Sequence, residues 1–138
     1  MEYKSLPESE LEVMLVLWKA GRPMTRGEIE ERLHAEGKKH WAPSTVLSLL
    51  YRLIDKEFVV SERPGRGKTA QFAAAVAEQE YLNTENHTFL SRWYDNSVAG
   101  FVSALHRSQP LGEADVQALR QFLDSLSVQT GKRPEQED

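Results

Sequence analysis

S-T-V-L-S-L-L-Y-R-L-I-D-K-E-F, residues 44–58, has two faces when wound at helical spacing. Val46, Leu49, Leu50, Leu53 and Ile54 recur three and four residues apart and make one side apolar. Thr45, Ser48, Arg52 and Asp55 fall on the other side. That outer side is small and hydroxylated near its start and carries an arginine further along. Such a face fits a DNA groove: it is not bulky, it offers hydrogen bonds to base edges, and its arginine reaches a phosphate or a guanine. An ordinary surface helix with its polar side in water has the same pattern. The flanking chain decides between the two.

Before this helix the sequence predicts two others. Pro7 suits a first-turn position, Glu8, Glu10 and Glu12 complement the positive end of a helix dipole, and Gly21 ends the run. Leu11, Met14, Leu15 and Trp18 lie at i, i+3, i+4 and i+7 and predict the buried stripe of that helix, with residues 1–6 frayed ahead of it. Arg22-Pro23-Met24 reads as a turn. Thr25-Arg26-Gly27-Glu28 reads as a capping box that opens the second helix. Ile29 and Leu33 face inward, and Gly37 stops the helix after about Glu36. Lys38, Lys39 and His40 form a basic connector to Trp41 and Pro43, where the third helix begins.

After it, Phe58-Val59-Val60-Ser61-Glu62-Arg63 is of strand type, Pro64-Gly65-Arg66-Gly67-Lys68 is a glycine-rich turn, and Thr69–Ala73 returns. Helix, helix, helix, hairpin is the order of a winged helix-turn-helix, mainly α with a small β-hairpin wing, over residues 1–76. In that arrangement the recognition helix, 44–57, enters the major groove and the basic hairpin tip rides the adjacent backbone. Gly-Arg-Gly-Lys is not a nucleotide phosphate loop: the spacing is wrong, and it joins two strands instead of a strand to a helix.

Charge supports the same reading. The 138 residues carry a net −4, yet residues 38–68 hold seven basic residues against three acidic ones. Lys38, Lys39, Arg52, Arg63, Arg66 and Lys68 are therefore candidate DNA-contacting cations on a locally basic patch. Residues 77–138 hold five basic against ten acidic. Cysteine is absent, which excludes disulfides, thiol catalysis and thiolate metal sites. No apolar run approaches the roughly 20 residues of a membrane span. The first residues lack a basic-then-apolar leader pattern, so a cytoplasmic protein without a membrane partner is expected.

Residues 77–129 predict a helical region. Leu82, Phe89, Trp93 and Tyr94 fall in a first helix, Val98, Phe101, Val102 and Leu105 in a second, and Val116, Leu119, Leu123 and Leu126 in a third. A segment of about 50 residues does not bury three such stripes well alone. A symmetric homodimer would cover them and would set two reading heads on a palindromic site. Leu82, Phe89, Trp93, Tyr94, Val98, Phe101, Val102, Leu105, Leu119 and Leu123 are the expected dimer interface. Packing of the stripes onto the winged-helix module of the same chain is the alternative. Residues 130–138, T-G-K-R-P-E-Q-E-D, have the composition of a disordered tail.

L-P-E-S-E-L-E-V-M-L-V-L-W at 6–18, T-R-G-E-I at 25–29, W-A-P-S-T-V-L-S-L-L-Y-R-L at 41–53 and H-T-F-L-S-R-W-Y at 87–94 together resemble the penicillinase-repressor family. That family includes β-lactamase and methicillin-resistance repressors and copper-transport repressors. The resemblance implies a dimeric winged-helix repressor on a palindromic operator. Carried over by position, it implies that Ser44, Thr45 and Ser48 meet bases or nearby phosphates. It also implies that Arg52 anchors the backbone and that Arg66 adds a contact from the wing. The copper-responsive branch uses a cysteine-rich metal site, which this chain lacks. The β-lactam-responsive branch implies a regulatory protease that cuts an Asn-Phe bond in the dimerisation half. The matching pair here is Ala104-Leu105.

Other classes fit less well. His34, His40, His87 and His106 show no spacing with carboxylates that suggests a metal site, and no nucleophile motif occurs, so neither an enzyme nor a cofactor is expected. A small-molecule-sensing winged-helix regulator and a winged-helix protein-interaction module are the alternatives; the basic cluster disfavours the second.

Overall fold

Helix α1 (Glu8–Ala20) buries Glu10, Val13, Met14, Val16 and Leu17. The apolar stripe is thus rotated from the expected one. Met14 lies on it, Leu11 and Trp18 are half-buried, and Leu15 faces solvent. Pro7 sits at the cap position, one residue before the first turn, and Gly21 closes the helix in the left-handed region at φ 67°. The computed structural model describes residues 3–36 and 40–129.

A short strand β1 (Met24–Thr25) follows, where the sequence predicts only a turn. Two residues carry no periodicity, and their extended form is set by a partner strand distant in sequence. Helix α2 (Arg26–Ala35) then opens with the expected capping box. The Thr25 hydroxyl accepts from the Glu28 amide at 3.2 Å, and the Glu28 carboxylate accepts from the Thr25 amide at 2.9 Å. Ile29 and Leu33 are its buried residues, as expected. Gly37, Lys38 and Lys39 lie outside the described residues.

Helix α3 runs Pro43–Asp55, with Pro43 at its start. It stops two residues short of the expected 44–57, because Glu57 takes a positive φ of 67° and the Phe58 amide turns back to the Leu53 carbonyl. Val46, Leu49, Leu50 and Leu53 are buried, as their spacing predicts. Each such aliphatic side chain is worth about 1.5–3 kcal/mol when fully withdrawn from water.

Strands β2 (Val59–Glu62) and β3 (Gln71–Ala74) form the expected hairpin. The sheet order is β1-β3-β2, antiparallel throughout, with Met24 opposite Phe72 and Ser61 opposite Phe72 from the other edge. Val59 and Phe72 face the core shared with α1, α2 and α3. Gly67, at φ 74°, supplies the left-handed residue of the wing turn, a conformation that side-chain-bearing residues rarely adopt.

Helix α4 spans Glu78–Tyr94. The chain divides into two compact units, Met1–Thr88 and Phe89–Asp138, and the boundary falls within this helix. The division expected between 76 and 77 marks where the sheet gives way to α4; packing assigns residues 77–88 to the first unit. The reason is visible in Tyr81, whose ring lies 5.7 Å from both Trp18 and Phe58 and whose hydroxyl accepts the Leu6 amide at 2.7 Å. Tyr3 completes the cluster edge-on to Phe58. Leu6 is buried and Tyr3 half-buried, so these two side chains pack where fraying was expected.

The second unit holds the end of α4, then α5 (Val98–Ser108) and α6 (Glu113–Gln129). Ser97 caps α5 by accepting the Gly100 amide at 2.8 Å. Phe89, Tyr94 and Phe101 form an aromatic triad with ring centroids 5.3–5.8 Å apart. No residue of α5 is fully buried. Residues 130–138, expected as a tail, lie outside the described residues.

Candidate nucleic-acid interface

Burial of Val46, Leu49, Leu50 and Leu53 fixes which way α3 presents its other side. Ser44, Thr45, Ser48 and Arg52 are all exposed. The sequence places these four on one helical surface, and the structure leaves that surface open to solvent. Asp55, on the same side, is also exposed. Three hydroxyls lead the helix and a guanidinium follows two turns on, an arrangement able to donate to and accept from base edges and to pair with a phosphate.

The far end of α3 is tied down. Lys56 Nζ lies 2.6 Å from Glu10 Oε1, whose side chain is almost wholly withdrawn from solvent. Glu10 is the first-turn carboxylate read from the sequence as serving the helix dipole, and its side chain is in addition a strut between α1 and the end of α3. Helix α2 is anchored at its start by the capping box. The Thr25 amide and then Arg22 hold the Glu28 carboxyl below its usual range.

The wing stands beside α3. Arg63, Arg66 and Lys68 are exposed there. The Arg63 guanidinium donates to the Lys68 carbonyl at 2.8 Å, which braces the base of the turn and leaves the Lys68 side chain at its margin. Between α3 and the wing opens a cleft of about 760 Å³, lined by Arg26, Leu47, Tyr51, Ser61, Lys68 and Thr69 among others. Arg26, Leu47 and Tyr51 are absent from the sequence-predicted contact set. Tyr51 is 56 % exposed. Tyr51 follows Ser48 by three residues and Ser44 by seven, so helical spacing already turns it outward; the outward set read from the sequence, with its hydroxyls and arginine, passes over it. Lys38 and Lys39, expected contacts, lie outside the described residues.

Of the expected interface residues, Leu82, Phe89, Trp93, Val98, Leu105, Leu119 and Leu123 are exposed in the single chain, Trp93 the most at 67 %. Tyr94, Phe101 and Val102 are half-buried, and the first two are partly engaged in the aromatic triad. Phe122, 59 % exposed, joins the exposed apolar set, although the three- and four-residue spacing of the leucines in α6 passes over it.

His34 and His40 come together, with ring centroids 4.5 Å apart, a proximity that their spacing does not suggest. Among the described residues no three His, Asp or Glu side chains are arranged to hold a metal. Among the same residues no helix is long and apolar enough to cross a membrane. His106 accepts the Leu111 amide at 3.0 Å and so serves the turn into α6.

Comparison with known proteins gives a consistent set of relatives. The family model described as penicillinase repressor matches residues 6–125. The penicillinase repressor of Bacillus licheniformis is 28 % identical over 119 residues, 86 % of this chain and 89 % of that protein. The methicillin resistance regulatory protein MecI of Staphylococcus aureus is 24 % identical over 119 residues, 86 % of this chain and 93 % of that one. Among solved structures, the solution structure of monomeric Bacillus licheniformis BlaI with the blaP half-operator is 28 % identical. It covers 58 % of this chain and 92 % of its own, with a TM-score of 0.47.

Proposed function

The chain belongs to the penicillinase repressor family, and from that premise we propose that it binds a palindromic operator as a homodimer and represses transcription there. The family consists of DNA-binding transcriptional repressors and not of enzymes. The observation that carries the proposal is the exposed row Ser44, Thr45, Ser48 and Arg52 on a helix whose opposite side buries Val46, Leu49, Leu50 and Leu53. In this reading the hydroxyls meet base edges or adjacent phosphates, Arg52 anchors the strand, and Arg63, Arg66 and Lys68 neutralise phosphates from the wing. Lys38 and Lys39 join them from the connector.

The homodimer is supported by the exposed apolar side chains of the second unit, chiefly Trp93, Val98, Phe122 and Leu123. Several large apolar side chains left exposed on a small unit support an association site there. Two copies related by a two-fold axis would carry two copies of α3 to two half-sites. Derepression by a protease that cuts within the second unit fits the family, with Ala104-Leu105 as the position to examine. The protein works in the cytoplasm.

A titration of a labelled operator duplex with the full chain tests the proposal. Arg52→Ala is expected to weaken binding by about tenfold or more with the thermal transition unchanged, since one charge-assisted contact is removed from an exposed position. Unaltered affinity would refute the role of that face.

A further inference from the structure

The cleft between α3 and the wing is lined by none of Ser44, Thr45, Ser48 and Arg52. Leu47 and Tyr51 stand one turn apart on the flank of α3 that borders it, and Leu47 packs against the core while Tyr51 is 56 % exposed. Ser61 and Thr69 border it from the wing. Three cationic side chains, Arg26, Arg63 and Lys68, border it against one carboxylate, Glu62. The Arg26 guanidinium is held by Glu30 on the next turn of α2, which fixes its position. A guanidinium carries five donors, so one carboxylate does not saturate it.

A single exposed tyrosine is unremarkable on a protein surface. This one lies in a concave, net-positive site with an apolar floor and hydroxylated walls. A sugar-phosphate strand has the complementary make-up: anionic oxygens along one edge and apolar deoxyribose faces along the other. Tyrosine offers both matching parts, a ring for the sugar and a phenolic O–H for a phosphate oxygen.

We propose that this cleft seats one DNA strand, with Tyr51 as a backbone-positioning residue: its ring and Leu47 lie against deoxyribose, and its hydroxyl and Arg26 donate to phosphate. The inference rests on the repressor reading and adds to it a contact that carries no sequence information. Base recognition then stays with Ser44, Thr45 and Ser48, while the cleft fixes the angle at which α3 enters the groove.

The test uses the full chain, a duplex recovered by selection from random DNA, and a scrambled duplex of the same length, titrated at several salt concentrations. Tyr51→Ala is expected to weaken both duplexes by a similar factor of about tenfold, through loss of one hydrogen bond and one apolar contact. Tyr51→Phe is expected to fall between that variant and the unaltered chain. The salt dependence stays unchanged in both, because no charge is removed, whereas Arg26→Gln reduces it. Tyr51 is exposed, so both variants keep the native thermal transition. Unchanged affinity in Tyr51→Ala alongside a loss in Arg52→Ala overturns the strand seat alone. A loss confined to the selected duplex also overturns it, since Tyr51 would then read bases. A selection from which the unaltered chain recovers no bound duplex overturns the strand seat together with the repressor reading.

Discussion

Lys56 Nζ and Glu10 Oε1 sit 2.6 Å apart and join the C-terminal end of α3 to the buried side of α1. The glutamate is nearly sealed from solvent, while the lysine side chain keeps 42 % of its exposure. Lys56→Met leaves the Glu10 carboxylate withdrawn from water without its cation. The expected loss is about 2 kcal/mol, below the 3–5 kcal/mol of a fully buried pair because one partner is half-solvated. Urea denaturation measures it directly, and a midpoint equal to that of the unaltered chain would show the pair to be without consequence.

The Leu6 amide and the Tyr81 hydroxyl make the second long-range tie, at 2.7 Å. Burial, the largest influence on this hydroxyl, raises it above the usual tyrosine range. Tyr81→Phe keeps the ring against Trp18 and Phe58 but leaves the buried Leu6 amide without its acceptor. A loss of about 1–2 kcal/mol is expected by chemical denaturation. Hydrogen exchange at Leu6 should accelerate by more than the global change accounts for; slow exchange there would mean that another acceptor replaces the phenol.

Much of this architecture is legible in the sequence, and the parts that are not share a cause. The core side of α3 follows from Val46, Leu49, Leu50 and Leu53 because one helix face suffices to define it. The Thr25–Glu28 box is readable because both partners lie within four residues. Strand β1 is not, since Met24 and Thr25 are extended by pairing with Phe72 and Gln71. Glu10 reads as a first-turn carboxylate serving the helix dipole, and its partner Lys56 lies 46 residues on. Leu15 and Leu17 differ in exposure although both are apolar, because the orientation of α1 depends on its neighbours.

Acid should weaken the first unit partly through Glu28. Its carboxyl is held below the ordinary value of 4.5, first by the Thr25 amide. A depressed folded value stabilises above the unfolded value and loses that stabilisation as pH falls through the folded one. The carboxylate is partly exposed, so the effect is modest. Glu28→Gln should therefore cost stability at pH 7 and flatten the decline below about pH 4.5. Parallel stability–pH curves for the two proteins would contradict this.

Trp93 gives the cleanest test of self-association, because it is 67 % exposed in the single chain and stands outside the Phe89–Tyr94–Phe101 triad. Trp93→Ala is expected to weaken the dimer by about 2–4 kcal/mol, the range of an aromatic interface anchor, while barely changing the helical content. Sedimentation velocity over a concentration series reads the shift toward monomer. An unaltered distribution would place the contact elsewhere on the second unit.

The central claim is that α3 reads operator DNA through Ser44, Thr45, Ser48 and Arg52, twice over in a symmetric dimer. Selection of bound duplexes from a random-sequence pool by the full chain measures it most directly. The expected result is a two-fold symmetric consensus with half-sites about one helical turn apart or a multiple of it. Recovery of a pool with no enriched sequence would contradict the claim.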